Sequence, residues 1–236
     1  MQLKAPDADR VLNEHELYAE LLQLDGKNIV ELGCGTAVHT ERLEGAARGR
    51  TVMAFDVDTV QIERHQQRTD LPGVSFELGG AESIALPDAS ADVVCMFKSL
   101  HHVPLDALDV ALDEIARVLK QGGLAYISEP VFAGEFNEII RLFNDEEVVR
   151  EAAFEAVKRA VDAGHLELVE EIFFLTPSRF TDFSDFEQRI LGATHLDLAL
   201  SPTTIAEIKA RFEACQATDG SAEFQVPMRV DLLRKP

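Results

Sequence analysis

Cysteine is scarce in this sequence of 236 residues, which contains three, at Cys34, Cys95 and Cys215. Their number is odd and no Cys-x-x-Cys pair is present, so a disulfide framework or a structural zinc site is not expected. No cluster of histidine, cysteine and aspartate has the spacing of metal ligands, and we therefore expect no metal. The thiols are interpreted as buried or incidental groups in a reducing cytosol.

Long hydrophobic runs are also lacking. The longest apolar stretches are interrupted by charges within about ten residues, which is too short to cross a bilayer. The first ten residues do not have the apolar stretch behind a basic start that is typical of a secretory signal. We therefore expect a cytoplasmic protein that does not span a membrane.

Basic residues are few, with 22 lysines and arginines against 42 acidic residues and a net charge of −20. Affinity for nucleic acids is built mostly from contacts of lysine and arginine with phosphates, which so acidic a surface repels. We therefore expect no nucleic-acid partner and favour a small molecule. A homodimer is compatible with this composition.

Strand-like and helical patterns alternate between Asn28 and Pro130, after an amphipathic helix predicted over Glu14–Leu24. The predicted strands are Asn28–Leu32, Thr51–Phe55, Val74–Leu78, Ala91–Phe97 and Gly123–Ser128. The predicted helices are His39–Ala46, Thr59–Arg68 and Leu105–Leu119. Strands that alternate with crossover helices indicate a doubly wound α/β fold with a parallel sheet and helices on both faces.

The pattern changes after Pro130, where helices and phenylalanines dominate. Helices are predicted over Glu135–Phe143 and over Asp145–Ala163, the latter capped by Asn144. A capping box at Ser184–Glu187 and the pair Ser201-Pro202 predict two further helix starts. The last two predicted strands are Glu170–Thr176 and Glu223–Leu233.

Of the 14 phenylalanines, 11 follow Pro130. This distribution fits either ordinary core packing or an aromatic lid over a substrate pocket. In the second interpretation the segment 131–200 moves and covers a bound ligand. The rings that would form the lid are Phe132, Phe136, Phe143, Phe154, Phe173, Phe174, Phe180, Phe183 and Phe186.

The strongest local motif is a glycine loop after the first strand, Ile29-Val-Glu-Leu-Gly-Cys-Gly-Thr-Ala37. Glycines let the backbone turn sharply and approach a ligand at the carboxyl end of the strand. Glu31 would repel a pyrophosphate but suits a ligand that bears an ammonium group. Asp56 ends the next strand, where an acid can accept hydrogen bonds from both hydroxyls of a ribose. These features describe a site for adenosine joined to an amino acid, as in S-adenosylmethionine.

At these residues the chain resembles the class I methyltransferases, in particular those that act on small molecules. Glu31–Gly35 is similar to the first motif of the family, and Phe55-Asp56-Val57 is similar to the second. Further segments in family order are Gly80-Ala81-Glu82, Leu86-Pro87, Ala91–Val94, Leu100-His101-His102 and Arg117–Gly123. The similarity extends from about residue 30 to residue 129.

The resemblance implies a Rossmann-like fold with a seven-stranded, mostly parallel sheet and a helical lid insertion. It implies one domain over 1–236, with a lead-in helix in 1–26, a cofactor-binding core in 27–130 and a substrate side in 131–236. The implied function is transfer of a methyl group from S-adenosylmethionine to a small-molecule acceptor. The residues expected to bind this cofactor are Glu31, Gly33, Cys34, Gly35, Asp56, Val57, Ala81, Glu82, Phe97 and Lys98.

The chain departs from the family pattern at two positions. Ala37 replaces the third glycine of the first motif, and its methyl group is tolerated if this residue is helical. Gly80 replaces an acid that would accept a hydrogen bond from the adenine amino group. Backbone groups at Ala81 and Glu82 can still contact the base, and the Glu82 side chain is a candidate substitute for the missing acid.

His101 and His102 follow the fourth strand, at the edge where an acceptor would arrive. One of them is a candidate general base, although a structural or positioning role is the favoured interpretation. Lys98 is either a surface residue or a substrate contact, and Glu129 is expected to be a helix cap or surface acid rather than a substrate ligand. His39 and Thr40 are expected to begin a helix without a chemical role. Four further histidines are expected at the surface without partners: His15, His65, His165 and His195.

The sequence is compatible with two other functions. A nicotinamide-dependent oxidoreductase would share a glycine loop, but the absent third glycine and Glu31 argue against it. A cofactor-binding protein without catalysis is the second alternative, since the acid at position 80 is missing.

Overall fold

Each of the five apolar segments predicted between residues 28 and 130 forms a strand in the computed structural model, which describes residues 1–4, 10–192 and 200–236. These strands are β1 (Asn28–Leu32), β2 (Thr51–Asp56), β3 (Val74–Leu78), β4 (Ala91–Phe97) and β5 (Leu119–Pro130). The last two are β6 (Glu167–Phe180) and β7 (Ala222–Arg234), both longer than predicted.

The seven strands form one sheet in the order β3-β2-β1-β4-β5-β7-β6. The pairs among β1 to β5 are parallel, and β7 is antiparallel to both of its neighbours. The predicted mostly parallel, seven-stranded sheet is therefore confirmed. Because β1 and β4 are adjacent but not consecutive, their carboxyl ends mark the point where the strand order reverses, and ligands of open α/β sheets bind at such points.

Eight α-helices are present among the described residues. They are α1 (Glu14–Leu22), α2 (Val38–Leu43), α3 (Thr59–His65), α4 (Leu108–Val118), α5 (Glu135–Ile140), α6 (Glu147–Asp162), α7 (Phe183–Phe186) and α8 (Pro202–Ala214). Leu100–His102 is a short 3-10 turn, and a π-helical turn over Glu187–Leu191 follows α7. No helix in the described ranges is both long and apolar enough to cross a membrane.

Two helix starts differ from the sequence prediction. Asn144 does not cap α6, because its side-chain amide donates to Glu146 Oε1 at 2.8 Å and Glu146 is the N-cap residue. The helix predicted from a capping box at Ser184 begins two residues earlier, at Phe183, and Asp182 caps it by accepting a hydrogen bond from the Asp185 amide at 2.9 Å. Here an aspartate with the correct backbone geometry precedes the predicted cap.

The start predicted at Ser201 is confirmed, since Ser201 Oγ accepts a hydrogen bond from the Thr204 amide at 3.1 Å and Pro202 opens α8. The helix predicted over Leu105–Leu119 begins only at Leu108. Residues 104–107 form a turn closed by a 2.8 Å hydrogen bond from the Ala107 amide to the Pro104 carbonyl.

The main core lies between the sheet and the pair α4 and α6. The apolar stripe of α4, which includes Leu112 and Ile115, packs in one buried cluster with Ala156 and Val157 of α6. On the opposite face, α1 contributes Tyr18 to a second cluster with residues of β1, β4 and β5. The helix α6 is thus part of the main core, which does not favour its motion as a separate lid.

Most of the late phenylalanines form another core rather than a pocket lining. Phe180, Phe186, Phe212 and Phe224 are buried together between β6, β7, α7 and α8. Their rings lie in edge-on or tilted contacts with centroids 5.2–6.1 Å apart, a range typical of packed aromatic clusters. For these rings the interpretation as ordinary core packing is the correct one.

Candidate active site

Gly33 begins the loop after β1 and carries the chain close to the loop after β4. Its φ is +78°, and a Cβ added there would lie 2.5 Å from Ser99 Cβ. Ser99 Oγ donates to the Leu32 carbonyl at 2.7 Å, and the amides of Gly33 and Cys34 donate to the Phe55 carbonyl at 2.8 and 3.0 Å. Only glycine permits this approach, which brings the ends of β1, β2 and β4 together.

Asp56 fixes the far side of the same loop. Its Oδ2 accepts a hydrogen bond from the Gly35 amide at 2.6 Å, and its Oδ1 accepts one from the Asp58 amide at 2.9 Å. A Cβ added at Gly35 would meet no atom within 4 Å, so the space beside this residue is open. Because Asp56 is half-buried and each carboxylate oxygen has a second lone pair, the group can also accept hydrogen bonds from a ligand.

Ala37 is not helical, contrary to the prediction. It precedes α2 with φ 65° and ψ 21°, in the left-handed region that glycine occupies more easily. For an alanine this conformation costs about 1–2 kcal/mol. The methyl group is fully buried against Ala54, Ile62 and Phe76, and its burial offsets part of that cost.

Glu31 lies beneath the loop rather than at the open surface where the sequence argument placed its charge. It is 1% exposed, and its Oε2 accepts a hydrogen bond from Thr40 Oγ1 at 2.6 Å. Burial, with a smaller contribution from the charge of Asp56, raises the pKa of Glu31 to about 8. Thr40, which was expected to have no chemical role, is therefore the hydrogen-bond partner of a buried acid.

His65 also contradicts the prediction of a surface residue without a partner. It is 5% exposed, stacks on Phe76, and its Nε2 lies 2.8 Å from the Gly35 carbonyl. Since a carbonyl only accepts, Nε2 donates, and the histidine holds the loop from behind.

Two other histidines that were expected at the surface have different surroundings. His15 is half-buried with its ring against Tyr18, and the exposed His165 pairs with Asp113 Oδ1 at 2.7 Å. His195 lies outside the described residues.

Apolar side chains remain exposed at the ends of β2 and β3. Val57 is 71% exposed and Leu78 is 54% exposed. Leu78 pairs in register with Asp56, so both chains end at the same edge of the sheet. Beyond β3, a Cβ added at Gly80 would lie 2.3 Å from Glu82 Oε2. The Glu82 carboxylate therefore occupies the space that a side chain at position 80 would enter.

The end of β4 combines a buried ring with an exposed lysine. Phe97 is 7% exposed and stacks on His39 with centroids 4.0 Å apart. Burial lowers the pKa of His39 to about 3, so this ring is neutral and packs as an aromatic group. Lys98 follows with φ +56°, and its amide donates to the Ser128 carbonyl at 2.7 Å. Its ammonium group makes no ion pair within residues 1–4, 10–192 and 200–236.

His101 and Glu129 form a buried pair that the sequence did not predict. His101 Nδ1 contacts Glu129 Oε2, and Glu129 Oε1 accepts a hydrogen bond from the Leu100 amide at 2.8 Å. Burial is the largest single effect and disfavours the protonated form of His101, but the charge and hydrogen bond of Glu129 together with the charge of Glu146 outweigh it and raise the pKa of the imidazole. Glu129 is 3% exposed, so the expectation of a surface acid is wrong. The two residues meet because β4 and β5 are neighbours and end at the same edge.

A second carboxylate lies on the other side of His101. Glu146 Oε2 is 3.7 Å from His101 Nε2 and 2.6 Å from the guanidinium of Arg150. The exposed His102 ring lies 4.1 Å from the His101 ring. Ligand atoms of His101, His102 and Glu146 lie within 4.8 Å of one another, a grouping that sequence spacing did not reveal. Arg150 already neutralises the carboxylate of this group, which weakens the case for a bound cation.

These residues line a cavity of about 370 Å³ between β4, β5, α5 and the N-terminal end of α6. Its polar end, beside the pair of His101 and Glu129, contains Lys98, His101, His102, Glu146 and Arg150. Its apolar end, which packs against the phenylalanine cluster, contains Phe136, Ile140, Phe143, Ile190 and Val226, and Arg189 lies there over the Phe180 ring. Of the rings predicted to form a lid, only Phe136 and Phe143 reach this cavity.

Part of this chain is similar in sequence to known methyltransferases. Residues 30–127 match the family described as "Methyltransferase domain". Over 112 residues the chain is 33% identical to "Probable phthiotriol/phenolphthiotriol dimycocerosates methyltransferase 2" of Mycobacterium ulcerans, covering 48% of this chain and 43% of that protein. Over 100 residues it is 33% identical to the fatty-acid O-methyltransferase of Mycolicibacterium smegmatis, covering 42% of this chain and 36% of that protein.

The fold is shared with solved structures at low sequence identity. The YcgJ protein of Bacillus subtilis superimposes with a TM-score of 0.65 at 16% identity, and the match covers 94% of this chain and 97% of that one. Residues 30–127 are thus similar to methyltransferase domains, and the solved structure has the same fold as this chain. The matches favour neither a nicotinamide-dependent oxidoreductase nor a protein without catalysis. The chain spans less than half the length of the two relatives that it matches in sequence.

Proposed function

We propose that this protein transfers a methyl group from S-adenosylmethionine to a small-molecule acceptor. The observation that carries the proposal is the position of the half-buried Asp56 carboxylate, which binds the Gly35 amide beside open space at the reversal of strand order. The cavity of about 370 Å³ opens at the neighbouring strand ends and provides room for an acceptor. The similarity to methyltransferases over residues 30–127 supports the same assignment.

The residues at the ends of β1 and β2 fit this cofactor. Asp56 would accept hydrogen bonds from the ribose hydroxyls, and the loop from Gly33 through Cys34 to Gly35 would pass under the amino-acid portion. Glu31 would act from beneath the loop, where a nearby cation favours its charged form.

Residues after β2, β3 and β4 would surround the base and the reacting end. Val57 and Ala81 would contact the adenine, and Glu82 would supply the carboxylate that Gly80 lacks. Phe97 and Lys98 would border the reacting end of the cofactor. By this division, 27–130 binds the cofactor, the lead-in segment 1–26 covers one face of the sheet, and 131–236 provides the acceptor side of one domain.

The cofactor supplies a methyl group on a sulfonium that is already activated for transfer. The task of the protein is therefore to align the acceptor and exclude water, and such positioning accounts for much of the rate. The cavity walls formed by α5 and the start of α6 would perform this alignment. His101 lies at the polar end, held between Glu129 and Glu146, with its pKa raised. We assign it to positioning through charge and hydrogen bonding, and His102 to the same wall. The exclusion of nucleic acid, the cytoplasmic location and the homodimer stay predictions of the sequence.

Calorimetric titration of S-adenosylmethionine into Asp56→Ala tests the assignment. Loss of a charged hydrogen-bond acceptor should weaken binding by about 1.5–3 kcal/mol, roughly 10- to 150-fold in Kd. Asp162→Ala, which removes an exposed carboxylate at the end of α6, is the matched control and should bind as the wild type does. Equal affinities of the folded Asp56→Ala variant and the wild type would contradict the proposal.

A further inference from the structure

We propose that the acceptor is a small amphipathic carboxylic acid, methylated on its carboxylate oxygen, with its apolar body in the Phe136 end of the cavity. This inference rests on the proposed function and specifies its substrate class. The whole chain has a net charge of −20, yet the described residues that line this cavity include three permanent cations and one carboxylate. The cations are Lys98, Arg150 and Arg189, and the carboxylate is Glu146.

The single carboxylate of the cavity is already neutralised. Glu146 Oε2 lies 2.6 Å from the Arg150 guanidinium and 3.7 Å from His101 Nε2. Arg189 has its own partner outside the lining, Asp185, at 3.1 Å. Of the three cations in the described lining of the cavity, Lys98 is therefore the one without an ion pair. An anion is the ligand that this arrangement attracts.

Lys98 is held in an unusual conformation at the strand end. A lysine with φ +56° occupies a region that costs about 1–2 kcal/mol, and such strain is concentrated at functional sites. The 2.7 Å hydrogen bond from its amide to the Ser128 carbonyl fixes the turn. The side chain then leaves the sheet at the carboxyl end of β4 and lines the cavity. The buried Glu14 carboxylate of α1 also faces Lys98, but burial raises the pKa of Glu14 and disfavours its charged form.

His101 suits an acceptor that arrives already deprotonated. The pair with Glu129 favours the imidazolium form, and an imidazolium donates hydrogen bonds but cannot take a proton. An alcohol or ammonium acceptor would require a base at this position, whereas a carboxylic acid is ionised near neutral pH. Because its Nδ1 contacts Glu129, His101 has Nε2 as the nitrogen that can donate a hydrogen bond to a carboxylate in the cavity.

The apolar end sets the size of the acceptor. Phe136, Ile140, Phe143 and Ile190 form this wall, and α5 and α7 support it by packing in the phenylalanine core. The cavity of about 370 Å³ lies within the range of pockets that hold small molecules. A carboxylate joined to a short chain or one aromatic ring fits this volume.

The reaction balances without a proton transfer. A lone pair on the carboxylate oxygen forms a bond to the methyl carbon, and the bond between this carbon and sulfur breaks with its electron pair going to sulfur. The negative charge of the acceptor and the positive charge of the sulfonium are both cancelled. The products are a methyl ester and S-adenosylhomocysteine, and the Lys98 and His101 charges orient the attacking oxygen.

Binding and turnover of three matched compounds test the proposal. They are 3-phenylpropanoic acid, 3-phenylpropan-1-ol and 3-phenylpropylamine, which differ only in the reacting group. Titration into the full chain saturated with S-adenosylhomocysteine should show that the acid binds more tightly than the alcohol and the amine. With S-adenosylmethionine, mass spectrometry should detect the methyl ester of the acid and no methylated alcohol or amine.

Variants assign the effect to the lysine. Lys98→Gln should weaken binding of the acid about tenfold and leave that of the alcohol unchanged, since one charge-assisted contact is lost. Lys158→Gln, at an exposed position on α6 outside the cavity, should change neither. An acid that binds no better than the alcohol, or faster methylation of the alcohol or amine, would overturn the proposal. S-adenosylmethionine binding is measured in parallel, because its absence would instead contradict the proposed function.

Discussion

The cofactor side and the acceptor side of this site are built with opposite charge. Carboxylates occupy the cofactor side, at Glu31, Asp56 and Glu82. The acceptor side contains the unpaired cation Lys98, while Arg150 is paired there with Glu146 and His101 with Glu129. The two sides meet where β1 and β4 lie next to each other. Under the proposed function, the acids would face a positively charged donor and Lys98 would face a negatively charged acceptor, so that the transfer would neutralise both.

The two sides also differ in their structural support. On the cofactor side, the glycine loop is held to the end of β2 by hydrogen bonds from its amides to the Phe55 carbonyl and to the Asp56 carboxylate. On the acceptor side, the cavity walls are supported by a separate core of phenylalanine rings from β6, β7, α7 and α8. Substitutions can therefore disturb one side at a time.

The largest expected effect is on the acceptor side. Phe212 is fully buried in the phenylalanine core, and Phe212→Ala should lower the free energy of unfolding by about 3–5 kcal/mol. Urea denaturation measures this loss, and the folded fraction should still bind S-adenosylmethionine with wild-type affinity. A loss below about 1 kcal/mol would show that these rings form a mobile lid rather than a core.

Much of the cofactor side was predictable because its contacts are local in the strand–turn–helix pattern. The glycine loop and Asp56 follow consecutive predicted strands, and the structure joins them by one hydrogen bond. His65 was missed because its partner, the Gly35 carbonyl, lies 30 residues away and no motif links them. The conformation of Ala37 was missed because alanine normally favours a helix.

The acceptor side was less predictable because its residues come from segments spread along the chain. The pair His101–Glu129 joins residues 28 positions apart. The adjacency of the fourth and fifth strands in a doubly wound sheet was the available signal for this pair. Glu146 and Arg150 have the spacing of a helical ion pair, which predicts their contact but not their position beside His101.

The second prediction concerns the glycine loop. Gly33→Ala should lower the free energy of unfolding by about 2–4 kcal/mol, because the new Cβ clashes with Ser99 and because an alanine at this position must keep a positive φ. Gly35→Ala meets open space and should cost only the conformational strain of about 1–2 kcal/mol, while weakening cofactor binding. Thermal and urea unfolding of both variants provide the comparison. Equal destabilisation by the two substitutions would contradict the assigned contact.

The third prediction follows from the pKa of Glu31, which is raised to about 8 from an ordinary value of 4.5. The folded state holds this proton more tightly than the unfolded state, so its stabilising contribution is complete below pH 4.5 and lost as pH rises through 8. The free energy of unfolding of Glu31→Gln should therefore not fall as pH rises towards 8, whereas that of the wild type should fall. The difference between them should grow by about 2–3 kcal/mol from pH 6 to pH 8.

Urea denaturation at several pH values measures this difference. The control is Glu77→Gln, at an exposed position on β3, which should keep the pH dependence of the wild type. If the difference between Glu31→Gln and the wild type stays constant over this range, the carboxylate is charged in the folded protein throughout.

The smallest expected effect is at the adenine contact. Glu82→Gln should weaken binding of S-adenosylhomocysteine by about 1 kcal/mol, roughly fivefold in Kd, because the charge of one acceptor is lost. Gly80→Asp in the same background should restore the affinity, since it returns the acid to the family position. If Glu82→Gln does not change the affinity, main-chain groups at Ala81 rather than the Glu82 side chain contact the adenine.

The most direct test of the account is the product formed by the wild-type protein. S-adenosylmethionine is incubated with and without 3-phenylpropanoic acid, and mass spectrometry quantifies S-adenosylhomocysteine and methyl ester. The account predicts that both appear in equal amounts, and only when protein and acid are present. Tight binding of S-adenosylmethionine without formation of either product, with this acid and with its alcohol and amine counterparts, would contradict it.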